Sequence, residues 1–213
     1  MKKLQVVLGL LLIFSAYSFA QKVSGVVYFV DEPVKNAKVE NTVNGELVKT
    51  DVNGYFEITA APDALLSIKY KGVSQHTQLD GVDVYKDIVL IPSEKKFKKL
   101  IDNSPSVKKC ELYLANYPEG KNAVLVKDVL EKEVFISAYD NAVGNFNLEG
   151  LNAYLSSYPN GRFAAKASKT IDIVSWQKAK SQDTMEAYNT YLEQFPNGEA
   201  VSLAKSRMAM LDE

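Results

Sequence analysis

The chain has 213 residues and is almost neutral, with 25 Lys and Arg against 26 Asp and Glu, and it contains one cysteine and one histidine. This charge balance does not predict a nucleic-acid partner, which normally requires a clustered basic surface. A single cysteine excludes an intramolecular disulfide, so each domain must be held by an ordinary hydrophobic core. The length allows one or two domains.

Residues 1–20 have the organisation of a secretory signal peptide. Lys2 and Lys3 precede an apolar run over 6–14, which is shorter than the roughly 20 residues that a membrane-spanning helix needs. Ser18-Phe19-Ala20 forms a small-residue cleavage site, so we expect cleavage before Gln21 and no integral membrane span afterwards. A retained membrane anchor is the alternative. Lipid attachment is excluded, because no cysteine lies near the cleavage site.

Residues 21–92 predict an all-β domain. Seven short runs rich in β-branched and aromatic residues are separated by turn residues, which is the pattern of a β-sandwich. The turns include Asn44-Gly45 and Asn53-Gly54, because asparagine and glycine tolerate positive φ. The predicted strands are Val23–Val30, Ala37–Asn44, Glu46–Lys49, Tyr55–Thr59, Ala64–Lys71, Val73–Leu79 and Asp83–Ile91.

Four motifs of this domain carry a resemblance to a known family. They are Gly25-Val26-Val27, Pro33-x-x-x-Ala37-x-Val39, Thr50-Asp51-x-x-Gly54-x-Phe56-x-Ile58 and Leu66-x-Ile68-x-Tyr70-x-Gly72. With them, residues 22–91 resemble the carboxypeptidase regulatory-like domain. The resemblance implies a transthyretin-like, seven-stranded β-sandwich with an accessory role and no active site. Members of this family often lie at the amino terminus of secreted or outer-membrane proteins of Gram-negative bacteria.

Residues 93–213 predict a helical domain built from three units. The similar stretches YLANYPEGKNAVLV, YLSSYPNGRFAAKA and YLEQFPNGEAVSLA begin at 113, 154 and 191, so the spacing is 41 (154 − 113) and then 37 (191 − 154) residues. With these offsets the apolar positions of a short helix coincide, as a buried helix face requires. These positions are Val107, Cys110, Leu114 and Tyr117, then Leu148, Leu151, Leu155 and Tyr158, then Met185, Tyr188, Leu192 and Phe195.

Each unit is predicted to consist of a short helix, a Pro-x-Gly turn and a long helix. The long helix of the first unit is longer by four residues, about one helical turn. Asp183 is the expected N-cap of the last short helix, with Glu186 completing a capping box. The pattern over 95–213 resembles tetratricopeptide-like repeats, especially those of periplasmic and outer-membrane assembly proteins of bacterial envelopes. That resemblance implies a scaffold or protein-binding surface, although the period and the missing Trp-x-x-Leu-Gly opening depart from the family.

The residues that most suggest chemistry have structural interpretations. His76 is predicted on a surface strand, and Cys110 occupies a position in the apolar register, so we interpret it as a buried apolar side chain. Asp51-x-Asn53-Gly54 begins like a calcium loop, but Pro62 stands where the bidentate Glu is needed, which favours a tight turn. The run Lys95–Lys99 is interpreted as a solvated helix face. No motif predicts a catalytic, cofactor-binding or metal site.

The resulting hypothesis is a two-domain β + α protein, a seven-stranded β-sandwich followed by tetratricopeptide-like hairpins, that is not an enzyme. We expect it to be secreted across the inner membrane, to be periplasmic or associated with the outer membrane, and to bind a protein partner of the bacterial envelope. The partner-binding candidates on the second long helix are Lys166, Lys169, Asp172 and Gln177. The alternative is a glycan-binding module that uses Tyr28, Tyr55 and Tyr85 of the β-sandwich.

Overall fold

The computed structural model describes residues 20–81 and 84–212. The described residues divide into two compact units between Pro92 and Ser93. The first unit is β-rich and the second is helical, as the change in sequence pattern predicts. The predicted signal peptide, apart from Ala20, lies outside the described residues. None of the helices within the described ranges is long and apolar enough to cross a membrane.

The β unit contains two four-stranded sheets. The strands are β1 Gln21–Phe29, β2 Glu32–Pro33, β3 Lys38–Asn41, β4 Leu47–Lys49, β5 Tyr55–Ala60, β6 Leu65–Tyr70, β7 Val73–Gln78 and β8 Ile88–Leu90. In the first sheet β1 pairs antiparallel with β2 and β5 and parallel with β8, and the second sheet has the antiparallel order β4-β3-β6-β7.

The described part of this unit has eight strands, where the sequence predicts seven. The additional strand is β2, in which Pro33 pairs with Tyr28 and Glu32 pairs with Phe29. It follows a tight reversal in which Val30 has a φ of 64°. Two residues are too few to show an alternating pattern, so β2 has no sequence signal of its own. The last strand, Ile88–Leu90, is also shorter than the predicted Asp83–Ile91, and upstream of it Tyr85 forms only an isolated bridge with Ser24.

Side chains from both sheets meet in one core. Val23, Val27 and Phe56 come from the first sheet, and Leu66 and Ile68 come from the second. The strands β1, β3, β5 and β8 bury alternate residues, as the two-residue period of a strand dictates, whereas β6 buries Leu66, Ser67 and Ile68 in succession. The alternate residues of β1 and β5 therefore form an outer face of the first sheet that is available to solvent.

The helical unit has seven described helices in which each helix contacts the next, and α3 also contacts α5. The helix α3 has 23 residues and α5 has 19, so the additional turn predicted for the first long helix is present. The helices are α1 Glu94–Asn103, α2 Val107–Asn116, α3 Ala123–Asn145, α4 Glu149–Ser157, α5 Ala164–Gln182, α6 Met185–Gln194 and α7 Val201–Leu211.

The buried face of the short helices is rotated from the predicted one. Cys110, Leu151 and Tyr188 are buried as predicted. Their flanking positions are only half-buried, and Met185 is 38% exposed. The four largest fully buried side chains are tyrosines, and the prediction left three of them off the apolar face, namely Tyr113, Tyr154 and Tyr191.

The boundary between α5 and α6 also differs from the prediction. Thr184, not Asp183, is the N-cap of α6, and its hydroxyl accepts a hydrogen bond from the backbone N of Ala187 at 3.2 Å. Asp183 ends α5 in the left-handed region with a φ of 50°. Its carboxylate accepts hydrogen bonds from Tyr188 and Arg207 instead. Asp183 therefore links α5, α6 and α7.

Candidate functional site

Each Pro-x-Gly turn of the helical unit contacts a buried tyrosine and a carboxylate, and we call each such group a joint. The carboxylate comes from the helix that precedes the one carrying the tyrosine. The tyrosine hydroxyl donates to the carboxylate over 2.6, 2.7 and 2.7 Å in the three joints. The first joint contains Glu94, Tyr113 and Gly120, the second Glu131, Tyr154 and Gly161, and the third Asp172, Tyr191 and Gly198.

The third joint caps the last helix from outside that helix. The Tyr191 hydroxyl accepts a hydrogen bond from the backbone N of Ala200 at 3.2 Å, and Asp172 Oδ2 accepts one from the backbone N of Glu199 at 3.0 Å. The first N–H groups of a helix have no partner within the helix, so the joint satisfies groups that would otherwise need water. In the second joint, Glu131 accepts from Arg162 N at 2.6 Å and Tyr154 from Phe163 N at 3.1 Å.

The phenols of the joints act as hydrogen-bond donors. Burial raises the pKa of Tyr113 to about 12 and that of Tyr191 to about 12. In the first joint the hydrogen bond from Tyr113 lowers the pKa of Glu94, which also accepts hydrogen bonds from Asn122. At neutral pH each phenol therefore keeps its proton and holds the carboxylate. This arrangement stabilises the helix packing and does not prepare these groups for proton transfer.

The joints explain why a glycine ends each turn. A Cβ on Gly161 would lie 2.6 Å from Glu131 Oε1 and 2.7 Å from the Tyr154 hydroxyl. A Cβ on Gly198 would lie 2.5 Å from the Tyr191 hydroxyl. Neither glycine has a positive φ, so the requirement is for space and not for a left-handed backbone. The predicted turn itself is confirmed, since Gly161 N donates to Tyr158 O at 3.0 Å.

An open groove lies beside the third joint, and we call it the α5–α6 groove. It has a volume of about 750 Å³ and is lined by the start of α4, the carboxy-terminal half of α5 and most of α6. Ala179 and Ala187 contribute small apolar groups to its lining. Its polar lining comes from Ser175, Lys178, Gln182, Glu186, Thr190 and Gln194.

The four partner-binding residues predicted from the sequence lie on α5 but outside this groove. The Lys166 ammonium lies over the rings of Phe135 and Tyr139, at 5.5 and 5.0 Å from their centroids. Lys169 forms an exposed ion pair with Glu199 at 2.8 Å, and Gln177 is exposed. The Asp172 carboxylate is engaged in the third joint, where it accepts hydrogen bonds from Tyr191 and from the backbone N of Glu199.

The groove residues were missed by the sequence interpretation, although one signal was present. Ser175 occupies the position that Ala138 occupies 37 residues earlier (175 − 138), within a stripe of apolar residues. A hydroxyl at a core position of a helix is unusual unless it has a partner. This single polar residue within an apolar stripe is the sequence signal for the side of α5 that lines the groove.

Three tyrosines lie on the outer face of the first β sheet, and we call this patch the tyrosine face. Tyr55 is paired opposite Val26, Tyr85 is bridged to Ser24, and Tyr28 lies on the same side of β1. Tyr55 is 39% and Tyr85 is 54% exposed. The pKa of Tyr85 is raised mainly by desolvation, then by a hydrogen bond with Asp87 and by the neighbouring Tyr28 and Tyr55. The patch therefore brings together three phenols from separate parts of the chain.

The other candidate residues have the structural roles predicted for them. His76 is exposed on β7, and Cys110 is buried, with burial raising the pKa of its thiol to about 11. Asp51 Oδ1 accepts hydrogen bonds from the backbone N atoms of Asn53 at 2.8 Å and Tyr55 at 2.9 Å, which confirms the tight turn. Among the described residues there is no group of three or more His, Cys, Asp or Glu side chains that would hold a metal ion.

These features define a protein with a β-rich amino-terminal region followed by a helical carboxy-terminal region. Comparison with models of known protein families and with curated proteins finds no match for the chain. The family resemblances noted above therefore depend on the sequence motifs themselves.

Proposed function

We propose that this chain is a non-catalytic protein of the bacterial cell envelope whose helical unit binds a protein partner. In this proposal the helical unit is a tetratricopeptide-like array of three hairpins, and the β unit is an accessory domain of the carboxypeptidase regulatory-like class. The α5–α6 groove carries the proposal. Its volume of about 750 Å³ lies within the range of roughly 300–1,000 Å³ typical of ligand sites.

The environment of the reactive side chains supports a binding role. The carboxylates of Glu131 and Asp172 are engaged by phenol and backbone donors, so they hold helices together. The Cys110 thiol is buried with a raised pKa, which makes it a poor nucleophile. The groove offers hydrogen-bonding and charged side chains without a nucleophile paired to a base, and such a lining is suited to recognition.

Site-specific photocrosslinking in the cells that produce the protein tests this proposal. A photoreactive amino acid is placed at Thr190 in the groove, at Gln177 on the adjacent surface of α5, and at His76 on β7 as a control. We expect one discrete protein adduct from at least one helical position and none from His76. The captured protein is then purified and must bind the purified chain. Absence of an adduct from both helical positions contradicts the proposal.

Export is tested separately by the mass of the purified protein. If the first twenty residues are a signal peptide, the mature chain begins at Gln21 and is recovered from the periplasmic or outer-membrane fraction. A chain that retains Met1 and remains in the cytoplasm contradicts the envelope location. This measurement is independent of whether a partner binds.

Glycan binding by the β unit is a second candidate function, and the tyrosine face favours it. Aromatic faces that are exposed on a rigid sheet provide stacking surfaces for sugar rings, and Tyr55 and Tyr85 are both exposed there. We expect Tyr85→Ala to abolish binding on a glycan array. Val84→Ala, at an exposed neighbouring residue without an aromatic ring, is the matched control. Binding that survives Tyr85→Ala excludes this face.

A further inference from the structure

We infer that the α5–α6 groove binds an extended polypeptide segment of the partner through its main-chain amide groups. This inference rests on the proposed function, and it specifies which surface of the helical unit is used and what part of the partner it recognises.

The first argument is an unpaired hydroxyl in the groove. Ser175 is 9% exposed, and its Oγ has no hydrogen-bond partner among the described residues. Serine and threonine inside helices commonly donate to a preceding backbone carbonyl. The other hydroxyls of α5 do so, since Ser168 donates to Ala164 O, Thr170 to Lys166 O and Ser181 to Lys178 O. A buried hydroxyl without a partner is costly, so Ser175 is suited to a partner from outside the chain.

The second argument comes from the preceding unit, where α3 and α4 make the equivalent helix–helix contact without a polar side chain. Gly150 of α4 packs so closely on α3 that a Cβ there would lie 3.2 Å from Ala138 Cα. The residues 37 positions later are Ser175 and Ala187, which both line the groove. Alanine is therefore sufficient for helix packing at this position. The hydroxyl of Ser175 adds hydrogen-bonding capacity that the fold does not use.

The third argument is the chemistry of the lining. Each residue of an extended peptide presents one N–H and one C=O that need partners. The side-chain amides of Gln182 and Gln194 can both donate and accept. The hydroxyl of Thr190 donates to Glu186 O at 2.9 Å, so it can accept a hydrogen bond from a ligand. The small residues Ala179 and Ala187 allow a main chain to approach closely. These groups match the alternating donors and acceptors of a peptide backbone.

The lining favours a peptide over a sugar. Sugar sites commonly include an exposed aromatic ring for stacking, and the aromatic residue of the groove, Tyr191, is only 2% exposed. Its hydroxyl is also engaged by Asp172 and Ala200 in the third joint. Lys178 of α5 and Glu186 of α6 add opposite charges to the groove. We therefore expect the preferred segment to carry both an acidic and a basic residue.

Selection of peptides from a random displayed library on the full mature chain tests the inference. Selected peptides are synthesised, and their dissociation constants are measured by fluorescence anisotropy. Thr190→Arg places a long side chain in the groove, and we expect it to weaken binding at least twentyfold. Asn189→Arg makes the same change at the adjacent exposed residue, which does not line the groove, and it should leave the affinity within twofold. Ser175→Ala should weaken binding about threefold to tenfold, as expected for one hydrogen bond.

The possible results separate this inference from the proposed function. Failure to select any peptide, or peptides that bind the Thr190→Arg chain as well as the wild type, overturns the inference. A glycan array that shows binding sensitive to Thr190→Arg also overturns it, in favour of a sugar ligand. If a purified partner crosslinks from Gln177 and never from Thr190, protein binding stands and the groove is rejected. Circular dichroism spectra that match the wild type confirm that each variant is folded.

Discussion

The two units of this protein satisfy their buried polar groups in different ways. In the β unit the buried side chains of Thr50 and Asn41 are neutral, and each makes its own set of hydrogen bonds to backbone. Thr50 Oγ1 accepts from Ala37 N and donates to Val34 O, and the Asn41 amide donates to Thr59 O. In the helical unit a phenol and a carboxylate combine three times. The repeated sequence of the helical unit therefore encodes a tyrosine–carboxylate hydrogen bond as well as a hydrophobic helix face. Single substitutions can disrupt this hydrogen bond in one joint at a time.

The largest expected effect is in the β unit, where a glycine contacts backbone. A Cβ on Gly25 would lie 1.9 Å from the carbonyl oxygen of Lys86, whose N donates to Ser24 O at 2.8 Å. Because backbone cannot yield without losing such pairing, we expect Gly25→Ala to cost more than about 3 kcal/mol in free energy of unfolding. Hydrogen exchange should show lost protection in peptides covering β1 and β8. Retained protection there contradicts the prediction.

The glycines of the joints should be more tolerant, because they contact side-chain oxygens. We expect Gly161→Ala and Gly198→Ala each to lower the free energy of unfolding by about 1–3 kcal/mol. Gly144→Ala is the control. It lies in α3 with no atom within 4 Å of its Cβ, so it should raise stability by about 0.5–1 kcal/mol. Urea unfolding followed by circular dichroism at the helix signal measures all three.

The sole tryptophan distinguishes one joint from another. The Trp176 ring lies 5.6 Å from that of Tyr191 in the third joint. Gly198→Ala should therefore shift the Trp176 emission spectrum of the folded protein, and Gly161→Ala should leave it unchanged. Equal shifts from both variants would show that the joints are not independent.

Removing the phenol oxygen of a joint should lower the free energy of unfolding by no more than crowding that oxygen does. Tyr191→Phe deletes the hydroxyl that donates to Asp172 and accepts from Ala200 N, so a partly buried carboxylate and a backbone N–H each lose a partner. We expect a cost of about 1–3 kcal/mol in urea unfolding. Tyr158→Phe is the matched control, because the Tyr158 hydroxyl makes no hydrogen bond with the residues that the structure describes. It should change stability by less than about 0.5 kcal/mol, and equal effects would refute the role of the joint.

The smallest expected effect is on acid stability, and it should appear in the helical unit. Hydrogen bonds from Arg207 hold the pKa of Asp183 well below its usual range, and Tyr113 lowers that of Glu94. A folded pKa below the unfolded value of about 4 stabilises the protein above that pH, and this contribution is lost as pH falls through the folded pKa. Exposure of the Asp183–Arg207 pair keeps the effect modest.

Substitution at Asp183 tests this pH dependence. The urea midpoint, followed by Trp176 fluorescence, should fall between pH 5 and pH 2.5 in the wild type. Asp183→Asn should flatten that decline, whereas Glu193→Gln, at an exposed residue of α6, should leave it unchanged. A decline of the same steepness in Asp183→Asn would show that other carboxylates control acid stability.

Much of the fold follows from local sequence patterns. Alternation predicts most strands of the β unit, the Pro-x-Gly motif predicts the turns between helices, and the unequal repeat spacing predicts the additional helical turn in α3. The joints could not be predicted in this way, because each carboxylate lies 19 or 23 residues before its tyrosine. Tyr154 lies outside the predicted apolar face, yet it is fully buried and its hydroxyl donates to Glu131 on another helix. The free energy of that contact depends on helix packing, which no short window of sequence contains.

The sequence by itself determined the order of the β-rich and helical regions, the position of the three turns and the interpretation of Cys110 as a buried side chain. These properties follow from hydrophobic periodicity and turn chemistry, which act over a few residues. Only the tertiary structure decided that Asp172 belongs to a joint, that the turn glycines are needed for space, and that the tyrosine face and the α5–α6 groove exist. Hydrogen-bond partners and empty space arise from the packing of separate elements. They are therefore properties of the folded chain.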